Sequence, residues 1–349
     1  MFSRMESAKG VEHVEVTRTQ LAEGVYLTYL PARKFKTSLL SAQFVTPLRP
    51  ETVSGNALLP AILRRGTVSC PDLGALSARL DNLYGARIDY TVRKKGENQC
   101  VGFVASFIDD SFTPGREKLL EPVAELLGEL VCDPVTQHGR FVPAYFESEQ
   151  TNLIDAIRSI VNDKRDYADS RLLQEMCAGE PYGISRLGSE KQAERLQPQK
   201  LYAQYGQLIA TSQLELFYSG SASMERVERA LRSAFSTLPR ENIREIALAA
   251  DHPKPAEPKL VEEEMDVTQG KLGMGFTCGS DDTAALLMGN TLFGGSSNSK
   301  LFLNVREKLS LCYFASSLYH RQKGIITVSS GIEFENYQKA YDEIMRQLE

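Results

Sequence analysis

A proline-rich, charged stretch between residues 239 and 259 divides the chain into two unequal parts. Proline lacks a backbone hydrogen-bond donor and fixes its own φ angle, so such a stretch interrupts helices and central strands. It contains Pro239, Pro253, Pro255 and Pro258. At 349 residues the chain is also longer than most single hydrophobic cores allow. We therefore expect an N-terminal domain over residues 1–240, a linker over 241–258 and a C-terminal domain over 259–349.

Hydrophobic periodicity predicts a similar order of elements in the two parts. Before the linker the predicted strands are 24–30, 38–45, 88–92, 99–107 and 213–218, and the predicted helices are 53–65, 71–83, 115–132, 143–163, 195–208 and 224–234. After it come strands 270–277, 312–319 and 324–332 and helices 284–293, 300–309 and 336–348. The pattern predicts an α+β fold of two related domains, each a mixed or antiparallel sheet with helices packed on one face. Because the second part stops before repeating all of the first, the C-terminal domain is expected to be incomplete, as in a truncated chain.

Charge and composition exclude several classes of function. The net charge of -5 and the isoelectric point near 5.6 argue against nucleic acid as a partner, which usually needs a basic face. No apolar run reaches the length of a membrane span, and the first residues lack the apolar core of a secretory signal. Six scattered cysteines without a C-x-x-C pair are typical of a reducing compartment, so we expect a cytoplasmic protein.

Several residue strings carry a resemblance to a known superfamily. In chain order they are LDNLYGA (80–86), NDK (162–164), EMC (175–177), EPYG (180–183), REK (306–308) and LCY (311–313). Together they resemble the insulinase/pitrilysin-like (inverzincin) zinc peptidase superfamily, and most closely its bacterial YfmF-type members, which lack peptidase chemistry. The resemblance runs from about Gly24 to the C-terminus. It also associates the chain with modification of elongation factor P.

Active members of this superfamily carry an inverted zinc motif, H-x-x-E-H, on the first helix of the N-terminal domain. Two histidines four residues apart share one helix face and bind a single zinc ion. The glutamate between them lies beside the zinc-bound water and acts as its base. None of the four histidines of this chain is close enough to another to form such a pair. They are His13, His138, His252 and His320.

The residues at the motif positions cannot perform this chemistry. Gly66 and the threonine after it align the motif, which places Ala57 and Ala61 where the two histidines would be and Pro60 where the base would be. Ala156, on a later helix, stands at the position of the third metal ligand. A methyl group cannot coordinate zinc and a proline ring cannot accept a proton. The resemblance therefore implies no catalytic residue, no metal ligand and no cofactor.

Two residues of the C-terminal part match a pair that active members use to hold the substrate. Arg306 and Tyr313 lie seven residues apart and offer a planar fork of donors and a hydroxyl, so the resemblance implies a substrate-binding role for them. The alternative is that Arg306 pairs with a nearby carboxylate and Tyr313 begins a half-buried strand. Glu147 and Glu149, two residues apart on a helix, do not share a face and are interpreted as solvated. The basic run at 93–95 is interpreted as part of a solvated hairpin turn.

Three functions remain open at this point. The first is a catalytically inactive, non-catalytic subunit that binds peptide and pairs with an active zinc peptidase homologue, or with a second copy of itself. Such complexes enclose a chamber in which an extended peptide can add to a sheet edge. The second is an active zinc metallopeptidase with an atypical site. The third is a self-assembling structural protein without peptide binding.

Overall fold

The computed structural model contains two principal β-sheets, one on either side of the proline-rich stretch. It describes residues 15–248, 252–255, 257–280 and 282–349, so that His13 lies outside the described residues. The predicted α+β class with two domains is confirmed. Among the described residues no helix has both the length and the apolar character needed to cross a membrane. Among the described residues, Cys70, Cys100, Cys132, Cys177 and Cys312 are free thiols.

The N-terminal sheet has six strands. They are β1 (Thr17–Ala22), β2 (Val25–Pro31), β3 (Thr37–Pro47), β4 (Arg87–Lys95), β5 (Asn98–Ile108) and β8 (Gln213–Gly220), with two short strands, β6 (Thr136–Gln137) and β7 (Arg140–Phe141), forming a separate ribbon. The order across the sheet is β1-β2-β8-β3-β5-β4. Only the β2–β8 pair is parallel, so the sheet is mixed. Burial alternates along β3 and β8, as expected when helices cover one face.

Among the described residues, eight α-helices belong to this domain. They are α1 (Val53–Leu63), α2 (Leu73–Asn82), α3 (Leu120–Cys132), α4 (Pro143–Ser159), α5 (Lys164–Met176), α6 (Glu190–Glu194), α7 (Pro198–Thr211) and α8 (Met224–Ala234). The helix predicted over 143–163 is shorter, because Asp163 accepts hydrogen bonds from the amides of Arg165 and Asp166 and so caps the start of α5. Helix α5 and strand β1 were not predicted, and neither were the short elements α6, β6 and β7.

The C-terminal sheet has three antiparallel strands in the order β10-β11-β9. The elements of this domain are β9 (Gly270–Thr277), α9 (Thr283–Phe293), a π-helical segment (Leu301–Lys308), β10 (Cys312–His320), β11 (Ile325–Ile332) and α10 (Tyr337–Leu348). Apolar side chains of the helices and of one sheet face form a second core. Its buried members include Met274, Phe293, Leu301, Val328 and Ile344.

Helix α5 joins the two domains by packing on β9. Gly273 and Gly275 face Leu172 and Met176 of this helix, and a Cβ atom built on Gly275 would lie 2.5 Å from the Met176 sulfur. A side chain at this position would hold the helix away from the strand. The absence of side chains on two alternate residues of β9 thus allows an N-terminal helix to lie directly on the C-terminal sheet.

Described residues before and after Pro253, Pro255 and Pro258 contact the N-terminal domain. The Asn98 side chain donates to the carbonyl of Ala247 (2.7 Å) and accepts from its amide (3.0 Å). Further along, Arg171 on α5 forms an ion pair with Glu263 at 2.6 Å. These contacts hold the chain against the N-terminal domain on both sides of Pro253, Pro255 and Pro258.

Candidate functional site

Helix α1, which matches the metal-binding helix of active peptidases, is a core helix. All eleven of its residues are buried, with Ala57 only 4% and Ala61 only 9% exposed. It packs against α4, α7 and strands β4 and β5. At the motif positions the helix therefore presents methyl groups and a proline ring to packed protein, and it offers no donor atom to a metal ion.

Helix α7 fixes the first turn of α1. The Gln204 side chain donates to the carbonyl oxygen of Thr52 (2.8 Å) and to the side-chain oxygen of Asn56 (2.7 Å). A Cβ atom on Gly55 would lie 2.4 Å from the Gln204 side-chain oxygen. The second contact gives the buried side-chain oxygen of Asn56 a hydrogen-bond partner, and the two contacts together tie the start of α1 to α7.

Helix α4 carries the position of the third metal ligand on its exposed side. Ala156 is exposed, whereas the buried side of the helix consists of Phe146, Glu149 and Leu153. The interpretation of Glu149 as solvated is wrong. Its carboxylate forms an ion pair with Arg65 at 2.6 Å, because its spacing from the two apolar residues places it on the inward face. Glu147 is exposed, as predicted.

Arg306 and Tyr313 each make side-chain contacts with other residues. The Arg306 guanidinium lies 4.6 Å from the ring centroid of Phe302 and 3.6 Å from the Glu307 carboxylate. The Tyr313 hydroxyl donates to Glu333 at 2.8 Å, which raises the pKa of Tyr313. The Tyr313 side chain is 57% exposed and the Arg306 side chain 41%, so both residues are accessible to a ligand. Their role in substrate binding stays a prediction.

A buried ion-pair network joins the two domains. We call Glu97, Glu180, His252 and Lys323 the interdomain ion cluster. Lys323, in the turn before β11, is 1% exposed and donates to Glu97 at 2.8 Å and to Glu180. His252 Nδ1 lies 2.7 Å from the other oxygen of Glu180. Burial alone would raise the pKa of Glu180, but the hydrogen bonds from Lys323 and His252 outweigh it and lower that pKa.

The same place contains a set of atoms of the kind that bind metal ions. The Cys177 sulfur, a Glu180 oxygen and a His252 nitrogen all lie within 4.8 Å of one another. Both oxygens of Glu180 already accept from protein groups, and burial raises the pKa of Cys177 to about 11, which favours the neutral thiol. We therefore interpret this group as part of the ion-pair network.

His320 provides a second polar contact between the domains. Its Nδ1 lies 3.0 Å from the hydroxyl of Tyr182, and its Nε2 lies 2.9 Å from the hydroxyl of Thr327. Burial, together with the nearby charge of Lys94, lowers the pKa of His320 to about 4. The imidazole is therefore neutral at physiological pH and can accept one of these hydrogen bonds while donating the other.

Replacement of His320 is expected to change the stability of the protein in weak acid. Between pH 6.5 and about 4 the unfolded chain binds a proton on His320 that the folded chain does not, so stability falls as the pH falls. The His320→Gln variant should lack this contribution, so that its free energy of unfolding falls less than that of wild type over this pH range, by about 1–3 kcal/mol. Urea unfolding at several pH values measures it. The control His138→Gln changes an exposed histidine, and equal pH slopes for His320→Gln and wild type would contradict the assignment.

Sequence reasoning did not find the interdomain ion cluster. Glu180 and Cys177 lie in strings that carried the superfamily resemblance, yet His252 and Lys323 are far from them in the chain. Nothing in the local pattern distinguishes Lys323 from a solvated turn lysine. The sequence indicated only that isolated histidines are usually either surface residues or hydrogen-bonded core residues.

Comparison with known proteins connects this geometry to a family. The family model described as "Peptidase M16 inactive domain" matches residues 195–349. The chain is 36% identical over 332 residues to the probable inactive metalloprotease YmfF of Bacillus subtilis (strain 168), covering 93% of this chain and 77% of that protein.

Two solved structures share the fold. A conserved protein from Enterococcus faecalis V583 superposes with a TM-score of 0.85 at 29% identity, over 95% of this chain and 79% of that one. A peptidase M16 inactive domain from Pseudomonas fluorescens does so with a TM-score of 0.75 at 20% identity, over 96% and 80%. The missing zinc motif, the burial of α1 and the inactive relatives all indicate a protein without peptidase chemistry. They do not support the alternative of an active metallopeptidase. The chain belongs to the M16 peptidase family and is an inactive, non-enzymatic member of it.

Proposed function

We propose that this protein is a non-catalytic subunit that binds extended peptide and associates with a homologous zinc peptidase. The observation that carries the peptide-binding part is the free edge of the N-terminal sheet. Strand β4 is nine residues long and, among the described residues, pairs only with β5. The unpaired backbone N–H and C=O groups along such an edge can hydrogen-bond to another strand. Addition of a peptide strand in this way is a common mode of peptide binding, in which main-chain hydrogen bonds supply the affinity.

The association with a homologue is supported by an apolar surface on α9. Leu287, Met288 and Leu292 of this helix are all exposed. Large apolar side chains grouped on one helix are typical of a surface that contacts another polypeptide. The alternative partner for this surface is a second copy of the same chain.

Two measurements on the full-length protein test this proposal. Fluorescence anisotropy with labelled extended peptides of about eight residues measures peptide binding, and the same peptides with N-methylated backbones serve as the control for strand addition. Co-purification with a homologue of the same cell that carries an intact H-x-x-E-H motif tests the partner. A protein that binds neither peptide nor homologue, or that binds N-methylated peptides equally well, contradicts the proposal.

Arg306→Ala is expected to weaken peptide binding about five- to tenfold, the loss typical of removing an arginine from the centre of an interface. Tyr313→Phe should have a smaller effect in the same direction, because only one hydroxyl is removed. Arg321→Ala, at an exposed turn of the same domain, is the matched control. Unchanged dissociation constants for both Arg306→Ala and Tyr313→Phe would remove these two residues from the binding site while leaving peptide binding by β4 intact.

A further inference from the structure

An open groove of ≈ 540 Å³ runs along the last part of β4. Five consecutive strand residues line it, Thr91 to Lys95, together with Arg186 from the segment that precedes α6. Successive side chains of a strand point to opposite faces of the sheet. A groove that touches five residues in a row therefore lies along the outer edge of the strand, where an added peptide strand would lie.

All of the charged residues that line the groove are basic. Arg93, Lys94, Lys95 and Arg186 contribute four basic groups, and no acidic residue lines it. Arg93, Lys95 and Arg186 are exposed and form no ion pair with a carboxylate among the described residues. The chain as a whole carries a net charge of -5. This concentration of unpaired positive charge on an acidic protein points to an anionic ligand.

Lys94 adds charge from below the surface. The strand continues to Lys95, so this residue is not in a solvated turn as the sequence suggested. Its ammonium group donates to the carbonyl of Tyr182 at 2.7 Å and lies 4.6 Å from the centroid of the Tyr182 ring. Burial lowers the pKa of Lys94. Among the described residues no carboxylate pairs with Lys94, and its ammonium group also donates to the carbonyl of Ile184 at 3.4 Å.

The wall that carries Arg186 is fixed to the core. The buried side chain of Gln99 donates to the carbonyl of Arg186 (2.7 Å) and to the carbonyl of Val53 at the start of α1 (2.9 Å). Gln99 lies opposite Lys94 in the β4–β5 pairing. The groove is therefore formed before a ligand arrives, and binding does not have to order this wall.

We propose that this groove selects extended peptides with acidic side chains at alternate positions. Arg93 and Lys95 lie on one face of β4, two residues apart, and would be cross-strand neighbours of two same-face side chains of an added strand. Arg186 lies across the groove. The free strand edge favours a peptide over a nucleic acid, which offers no backbone amides for pairing. This inference rests on the proposed peptide binding and gives it a substrate class.

The test compares two labelled peptides by fluorescence anisotropy with the full-length protein. One has glutamate at alternate positions of an eight-residue Val/Thr peptide, and the other has lysine at the same positions. The glutamate peptide is expected to bind at least tenfold more tightly, with an affinity that falls as salt rises from 50 to 300 mM. N-methylation of the glutamate peptide should abolish binding.

Two charge reversals at exposed arginines provide the matched control. Arg93→Glu should weaken binding of the glutamate peptide roughly tenfold, whereas Arg229→Glu, exposed on α8 and outside both the groove and β4, should change it less than twofold. Circular dichroism and urea unfolding confirm that both variants fold. Equal binding of the glutamate and lysine peptides would overturn the acidic preference but leave the proposed function standing. No binding of either would overturn both, and an oligonucleotide that displaces the glutamate peptide with equal affinity would overturn the assignment to peptides.

Discussion

Lys323→Met is expected to lower the free energy of unfolding by about 3–5 kcal/mol, because it removes one partner of a buried charge network and leaves the others in place. Lys323 is almost wholly buried and pairs with Glu97 of the N-terminal hairpin and with Glu180 after α5. Without the ammonium group two carboxylates would face each other in the domain contact. Methionine retains most of the side-chain volume, so loss of charge and not loss of packing dominates the effect.

Urea unfolding followed by circular dichroism measures this change. Lys339→Met is the matched control, since this exposed lysine of α10 forms no ion pair among the described residues and should change stability by less than about 0.5 kcal/mol. The double variant Lys323→Met/Glu97→Gln should lose less free energy of unfolding than the two single variants lose together. The reason is that Glu97→Gln removes a carboxylate that Lys323→Met leaves unpaired. Wild-type stability of Lys323→Met would show that the cluster does not hold the domains together.

Restoring the zinc motif should destabilise the protein without creating a peptidase. The variant with Ala57→His, Pro60→Glu and Ala61→His places two imidazoles and a carboxylate on a helix whose every residue is buried. Such groups lack hydrogen-bond partners there, and their added volume has no space to occupy. We expect a loss of about 4 kcal/mol or more, or failure to fold.

Ala156→Glu separates the effect of burial from the effect of charge. Ala156 is exposed on α4, so this single change should alter stability by less than about 0.5 kcal/mol. Unfolding measurements and zinc analysis by atomic absorption apply to both variants. If the triple variant, alone or combined with Ala156→Glu, folds with wild-type stability and binds one zinc ion, α1 retains a metal cavity and our description of it as a core helix is wrong.

The buried α1 gives a physical reason why catalysis cannot be recovered by small steps. In a metal site the helix needs one polar face that substrate and water can reach. Here α4, α7 and the sheet surround the helix, and the alanines and proline make that packing possible. The alanines and the proline that replace the metal ligands and the base allow close packing around α1, and this packing leaves no room for a metal site.

The regular elements could be predicted where periodicity and local signals agree. The predicted helix over 71–83 appears as Leu73–Asn82, where Asp72 accepts from the amide of Ala75. Helix α5 escaped prediction because none of its residues is fully buried and it lacks a clear apolar stripe. It forms where the C-terminal sheet covers it, and no local pattern records that contact.

The absence of zinc peptidase chemistry at the motif follows from side-chain identity, because identity alone decides whether a residue can bind metal or accept a proton. The α+β class follows from hydrophobic periodicity, which is a local property. The burial of Glu149 and Lys323 in ion pairs, and the meeting of Arg93, Lys95 and Arg186 at one groove, could be seen only in the folded chain. Those properties depend on which residues surround each charged side chain, and these residues come from distant parts of the chain that meet only in the folded molecule.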